Sequence, residues 1–246
     1  MNHVASIYGD QYFFGGGAGY PDYLAEANTL RDRGRRYGRL LRRYRPCGAL
    51  LDVGSAAGFI LQGLCDIGWH GEGIEPNNTM AEHARREFGL PVKTSLLEEL
   101  EDVGRYDAVT MIQVIAHFVD PSDALRRVAR ATKVGGLCLI ETWNWRSVAA
   151  RIFGRAWHEY SPPSVVHWFS PERVVRLAAD LNYEMVSTGK VSKWIGRRHA
   201  QSLIRHAFDN SRIGDALANA LSVIPSNVAL PYPGDDLFWM LLRKHH

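Results

Sequence analysis

Long apolar runs are missing from this chain of 246 residues, and cysteine is scarce. The apolar stretches have the length of strands, far below the ~20 residues that cross a bilayer, so no membrane span is expected. The three cysteines, Cys47, Cys65 and Cys138, lie in or beside apolar segments. Three thiols do not make a disulfide framework, and they read as reduced, buried side chains. No cysteine cluster or His-x-x-x-His pair appears, so no metal site is legible. Met1–Phe14 has no basic start followed by an apolar run, which gives the expectation of a cytoplasmic protein. Repeats and low-complexity tracts are also absent, which excludes solenoids and fibrous folds. The Gly-Lys-Ser/Thr of a phosphate-binding loop is nowhere in the sequence.

What remains is globular: 46% hydrophobic and 22% charged residues, a length that suits one elaborated domain, and a formal charge of only +3. That charge is unevenly spread, with eight arginines between Arg31 and Arg45. Leu30, Tyr37, Leu41 and Tyr44 follow a helical period through them, so a helix over 22–45 has an apolar stripe and a basic outer face. A solvated face and a dock for an acidic substrate or partner are both open. Residues 1–21 combine glycines with Tyr8, Tyr12, Phe13, Phe14 and Tyr20, too irregular for a regular element and too aromatic for a free tail.

From residue 49 onward the pattern alternates. Strands are predicted at 49–53, 71–74, 91–94, 106–114 and 137–142, with helices at 59–67, 77–88 and 121–132 between them. That order means βαβ units, a parallel sheet and helices on both faces. Residues 143–168 break it with Trp143, Trp145, Trp157 and Trp168. Ser170-Pro171-Glu172 then caps a helix to about 181. A strand at 183–191, helix at 198–224 and last strand at 236–243 complete the chain. The expectation is a single domain over 1–246, with an N-terminal lid and helix at 1–45, a substrate loop at 143–168 and a helical insertion at 193–232.

The segment richest in chemistry is Leu50-Leu51-Asp52-Val53-Gly54-Ser55-Ala56-Ala57-Gly58-Phe59. An apolar strand ends in an acid, a glycine turn follows, and a helix opens. Gly54 permits the turn, and Gly58 is expected to let backbone approach a ligand. The spacing misses G-x-G-x-x-G, and the Asp52 carboxylate suits a cationic ligand better than a pyrophosphate. A second strand ends Gly73-Ile74-Glu75-Pro76, which places Glu75 at about the offset where an acid meets a ribose diol.

Together these residues resemble the class I S-adenosylmethionine (SAM)-dependent methyltransferases, in their small-molecule (ubiquinone- and sugar-type) branch. Asp52-Val53-Gly54-(x)3-Gly58 is similar to that family's first motif, and Glu75 stands where the family holds the ribose. Tyr106–Pro121 resembles its fourth-strand region, Lys133–Leu137 its turn before strand five, and His167-Trp168-Phe169-Ser170 the opening of its next helix. The resemblance implies a Rossmann-like, doubly wound α/β fold whose seven-stranded sheet is mostly parallel with an antiparallel last strand. It implies SAM as cofactor, S-adenosylhomocysteine (SAH) as product, and a site drawn from Asp52, Gly54, Ser55, Gly58, Glu75, Pro76, Leu96, Leu97 and Gln113. Three departures stand out. Ser55-Ala56 replaces the usual Cys-Gly, and Ala116 replaces a glutamate before His117. Leu96 replaces an acid that reads adenine, which leaves the Leu96 or Leu97 backbone and Ile74 for that task.

Transfer to a hydroxyl needs a base near neutral pKa. Of ten histidines, His117 and His167 fall where the acceptor should meet the methyl group, and His158–Glu159 is a further candidate base. The tryptophans of 143–168, with Tyr160, are expected to wall a flat or sugar-like acceptor. The reading is methylation of a small-molecule, sugar or lipid-linked acceptor, with oxygen favoured. Its rivals are a tRNA or rRNA methyltransferase and a non-catalytic SAM-binding protein. Against nucleic acid, Ile112–His117 stands where base-amine enzymes carry Asn/Asp-Pro-Pro-aromatic. The oligomeric state is left open.

Overall fold

The computed structural model describes residues 7–15, 22–157, 159–191, 194–196, 201, 204–205, 211–223, 225, 229–231 and 236–245. Its centre is a sheet of seven strands in the order β3-β2-β1-β4-β5-β9-β6. These are β1 (Ala49–Val53), β2 (His70–Glu75), β3 (Val92–Thr94), β4 (Tyr106–Ile112), β5 (Thr132–Trp143), β6 (Tyr183–Lys190) and β9 (Leu237–Lys244). The first five pair in parallel, and β9 runs antiparallel to both β5 and β6. The expected sheet is therefore present, with its single reversed strand last in the chain.

Local chemistry sets the helix ends. In α4 (Asn78–Phe88), Asn77 accepts from Met80 N and Gly89 closes the helix at φ 62°. In α5 (Pro121–Ala131), Asp120 accepts from Ser122 N and Asp123 N ahead of a proline that needs no donor there. Ser170 caps α7 (Pro171–Ala179) by accepting from Arg173 N. Strands β1, β4 and β5 are buried on both sides, as a covered parallel sheet requires, and cores lie on each face.

The arginine-rich segment forms α2 (Ala27–Arg42), which buries Leu30, Gly34, Tyr37, Gly38 and Leu41 against α3 (Phe59–Cys65). The approach is close: a Cβ on Gly34 would lie 2.2 Å from Ile60 O. Much of the basic face is satisfied internally. Arg31 and Arg35 both bind Asp66, and Arg45 binds Asp107 below the sheet. Arg36, Arg39, Arg42 and Arg43 remain on the exposed side.

The structure departs from the pattern in four places. Residues 10–14 do form a short helix, α1 (Asp10–Phe14), because Phe13 buries itself against Tyr23 and Met80 and so anchors a turn that composition argues against. Strand β5 begins at Thr132 rather than 137, since α5 ends at Ala131 and the chain pairs at once with Tyr106, with a register shift before Ala108 absorbing the two glycines. Within 193–232, β7 (Trp194–Gly196) pairs antiparallel with β8 (Ala229–Pro231), while α8 (Arg212–Ala220) supplies helix. Side-chain pattern does not reveal a pair of three-residue strands whose nearest partners, Gly196 and Ala229, are 33 positions apart. The loop at 143–168 also carries α6 (Val148–Phe153). Cys47, Cys65 and Cys138 are free thiols, the last fully buried and the others half-buried. Among the described residues, no helix is long and apolar enough to cross a membrane.

Candidate active site

A cavity of about 210 Å³ opens at the C-terminal ends of β1, β2 and β4. In a doubly wound sheet this is where crossovers diverge and leave a crevice. Asp52, Gly54, Ser55, Glu75, Pro76, Leu96, Leu97, Gln113 and His117 all line it. These residues lie far apart in sequence, and the sheet register brings them together: Asp52 faces Thr110 across β1–β4, and Val53 faces Ile74 across β1–β2.

The turn after β1 holds three left-handed residues, Gly54 at φ 70°, Ala56 at 45° and Gly58 at 81°. Gly54 N and Ser55 N both donate to Ile74 O, at 2.9 and 3.1 Å, which ties the turn to β2. A Cβ on Gly54 would lie 2.8 Å from Val114 Cγ2 in the cavity wall. Gly58 behaves differently from its expected role. It is not among the cavity's lining residues, and a Cβ there would meet Ala84 and Leu90, at 2.8 and 2.9 Å. Its φ and this packing are by themselves enough to require a glycine.

Two carboxylates face the cavity while almost wholly out of water. Asp52 is 3% exposed and Oδ1 accepts from Thr110 Oγ1 at 2.6 Å. Glu75 is 4% exposed; Oε1 accepts from Asn77 N at 2.8 Å and Oε2 from Ala56 N at 2.9 Å. Burial pushes both up to about 7, and for Asp52 the neighbouring Glu75 charge adds to the effect. Asp52, Glu75 and the unpartnered, buried hydroxyl of Ser55 form a polar floor. The opposite wall is aromatic: Tyr8, Tyr12 and Phe13 from the N-terminal segment, with Tyr23. Asn77 Nδ2 holds that segment down by donating to Tyr8 O and Asp10 Oδ1, at 3.0 and 3.1 Å. Residues 16–21 of the expected lid lie outside the described residues.

His117 sits at the aromatic end. Its Nδ1 lies 2.7 Å from Ser164 O, and since a carbonyl only accepts, Nδ1 carries the proton and the neutral ring keeps its lone pair on Nε2. Tyr8 donates to the same carbonyl, and the rings of Tyr8 and Trp143 stand edge-on to the imidazole at 5.3 and 5.7 Å. Burial lowers the pKa of His117 below the ordinary histidine value, against the opposing pull of the Ser164 and Gln113 carbonyls and of Glu159. His167 is placed elsewhere. It lies outside the cavity lining, half-buried, with Nε2 donating to Val119 O at 3.1 Å. His158 falls outside the described residues.

The tryptophans of 143–168 take different positions. Trp157 is core, donating to Asp236, while Trp145 is exposed and Trp168 stacks on Tyr160 at 4.8 Å. None of the four lines the cavity. Apart from His117 and Phe118, the rings that do come from the first 23 residues, where glycine-rich sequence hides their destination. Arg33 is the other residue that the sequence did not single out: among the described residues it is the one Lys or Arg lining the cavity. Its i, i+4 relation to Tyr37, on the buried face of α2, is the signal that separates it from its seven neighbours. Among the described residues no group of three or more His, Cys, Asp or Glu could hold a metal ion.

Comparison with known proteins meets this geometry from another side. A family model described as a methyltransferase domain matches residues 28–188. A ubiquinone biosynthesis O-methyltransferase of Bradyrhizobium sp. is 30% identical over 128 residues, covering 46% of this chain and 51% of the relative. Its counterpart from Methylobacterium nodulans is 33% identical over 130 residues, 49% of this chain and 52% of that one. The chain thus spans about half the length of the curated relatives it matches. The crystal structure of a SAM-dependent methyltransferase, possibly a histamine N-methyltransferase, from Thermotoga maritima superposes with a TM-score of 0.59 at 18% identity, over 91% of this chain and 94% of that one. At that identity the likeness is one of fold.

Proposed function

Since this chain belongs to the methyltransferase-domain family, whose cofactor is SAM, we propose that it transfers the methyl group of SAM to a hydroxyl of a small-molecule acceptor. The observation that carries the reading is the pair of buried carboxylates, Asp52 and Glu75, at adjacent strand ends beside a glycine turn. A polar floor of that charge fits a cationic ligand with a ribose diol, and no pyrophosphate would be stable against it. Glu75 would accept from the ribose hydroxyls with the lone pairs that Ala56 N and Asn77 N leave, and Pro76 adds no further N–H. Leu96 N already donates to Glu99 Oε2 at 3.2 Å, which leaves the Leu97 N–H for the adenine edge, with Ile74 and Leu97 as apolar flanks. Arg33 would meet the carboxylate of the cofactor's amino-acid end. Of the nine cofactor-binding residues in the sequence reading, eight stay in this proposal, and Gly58 moves to a structural role.

When bound, SAM supplies an electrophilic methyl on a sulfonium and leaves as SAH. The protein's share is alignment and deprotonation. His117 Nε2 would accept the acceptor's proton, because Ser164 O fixes the proton-bearing nitrogen on the far side. Its lowered pKa keeps the ring neutral at physiological pH. Tyr8 and Tyr12 would close over the acceptor, excluding water, with residues 1–45 acting as lid and helix and 143–168 contributing Ser164 to the base rather than a wall to the acceptor. Sugar and lipid-linked acceptors belong to the same proposal. The names of the curated relatives favour oxygen as the accepting atom.

The test is transfer of label from methyl-labelled SAM to a panel of hydroxylated aromatics, sugars and lipid-linked alcohols, with the methylated atom located by mass spectrometry. An O-methylated product supports the reading; methylation confined to nitrogen or carbon overturns its choice of atom. The exposed arginines at 36, 39, 42 and 43 favour one rival, an RNA substrate. Steep loss of RNA binding with salt, together with labelled RNA, would establish that one instead.

A further inference from the structure

Glu141 lies near the C-terminal end of β5 with 0% exposure. A carboxylate so far from water is costly unless donors meet it, and here three do. Arg33 Nη1 donates to Oε1 at 3.2 Å, Gln113 Nε2 donates to the same oxygen at 2.8 Å, and the Tyr37 hydroxyl donates to Oε2. Burial, with the Glu141 charge behind it, raises the pKa of Tyr37 well above the ordinary tyrosine value, so the phenol stays a donor. Arg33 and Tyr37 stand one turn apart on α2. Gln113 follows β4 in a left-handed conformation, φ 57°, and its N–H donates to Glu141 O at 2.8 Å. Of the four residues, Arg33 and Gln113 line the cavity and Glu141 and Tyr37 do not.

The arrangement fixes an orientation and a position. A primary amide has a donor end and an acceptor end, and a carboxylate can take only the donor. Glu141 therefore holds the Gln113 NH2 and leaves its Oε1 as the acceptor end. It also holds one nitrogen of the Arg33 guanidinium, which places that cation on the same wall as Gln113. A fixed cation and a fixed acceptor on one wall complement the carboxylate and ammonium of an α-amino acid.

We infer that Glu141 is a positioning residue that orients Arg33 and Gln113 to receive the amino-acid end of SAM. This rests on the cofactor reading above. Glu141 touches no ligand itself. A glutamine at 141 can keep one oxygen toward Gln113 and Arg33, but it removes the charge that both donors share and so releases Arg33 from its ion pair.

The experiment compares SAH with 5′-methylthioadenosine, which keeps the adenosine and thioether but lacks the amino-acid end. Both are titrated calorimetrically into the full chain and into Glu141→Gln and Tyr37→Phe. Glu141→Gln is expected to weaken SAH about 10- to 100-fold, the range for a lost hydrogen bond to a charged group. Methylthioadenosine should change by no more than about 2-fold, as for independent sites. Tyr37→Phe, which removes one of the donors, should shift SAH in the same direction by less and leave methylthioadenosine alone. A general loss of integrity at position 141 would weaken both ligands alike, and that result overturns the inference, as does unchanged SAH affinity. Should Glu141→Gln fail to fold, the selectivity of Tyr37→Phe decides in the same way. A wild-type chain that binds methylthioadenosine as tightly as SAH overturns the inference and leaves the cofactor reading standing; one that binds neither overturns both.

Discussion

Replacing Asp52 by asparagine should make the ligand-free protein more stable and a worse binder of SAM. The side chain is 3% exposed and accepts one hydrogen bond, from Thr110, which an asparagine oxygen can also accept. Burial raises its pKa from 3.8 to about 7. Between those values the folded chain keeps a proton that the unfolded chain releases. The contribution to stability is thus complete below about pH 4 and is lost as pH rises through about 7. A shift of that size corresponds to at most about 4 kcal/mol above pH 7, and local relaxation reduces it, so about 2 kcal/mol is expected. For a chain of this length that is a rise in Tm of roughly 4–8 °C at pH 8, fading to almost nothing near pH 4. Thermal unfolding of Asp52→Asn and wild type across that range measures the difference, and titration with SAM at pH 8 measures the loss of affinity, expected near 10-fold or more. Equal Tm values at both ends of the range would refute the claim that the fold holds this carboxylate under strain. A stabilised variant with undiminished SAM affinity would refute its role at the site.

Three further outcomes follow from the aromatic end of the cavity. His117→Gln should lower kcat by about 10²–10⁴ while SAH affinity stays near wild type, and His167→Gln, whose ring lies outside the cavity, should leave both near normal. In the wild type the acid limb of the kcat profile should fall below the ordinary histidine pKa, since burial lowers that of His117. SAH should also slow proteolysis within the first 23 residues, because Tyr8, Tyr12, Phe13 and Tyr23 close over the ligand; equal cleavage rates with and without SAH would remove the lid.

How much of this was written in the sequence depends on which physical signal each residue carries. Asp52 and Glu75 were legible because a strand that ends in an acid before a glycine turn is a local pattern, and the sheet preserves it. The seven strands were legible for the same reason, through their apolar runs and capped helices. Arg33 was not, because all eight arginines of its segment look alike until packing selects the buried face of α2. Glu141 was hidden in a run of apolar residues that reads only as a strand, and its partners come from 28 residues earlier at Gln113 and 108 earlier at Arg33. Gly58 was recognised as a glycine position, but sequence shows only that it needs no Cβ, and neighbours such as Ala84 and Leu90 show what fills the space. The rings that line the cavity were not legible, because ring count says nothing about which side of a loop faces it. Tyr8 and Tyr12 reach it through α1, a helix whose anchor, Phe13, is a tertiary contact.

The cofactor assignment itself comes down to one titration. SAH added to the wild-type chain at neutral pH should bind one site with a Kd on the order of 1–100 μM. Glu75→Ala should weaken it by about 1.5–3 kcal/mol, the loss of hydrogen bonds to a charged acceptor. Wild-type affinity in Glu75→Ala would contradict the placement of the ribose, and absence of binding to the wild-type chain would contradict the SAM site as a whole.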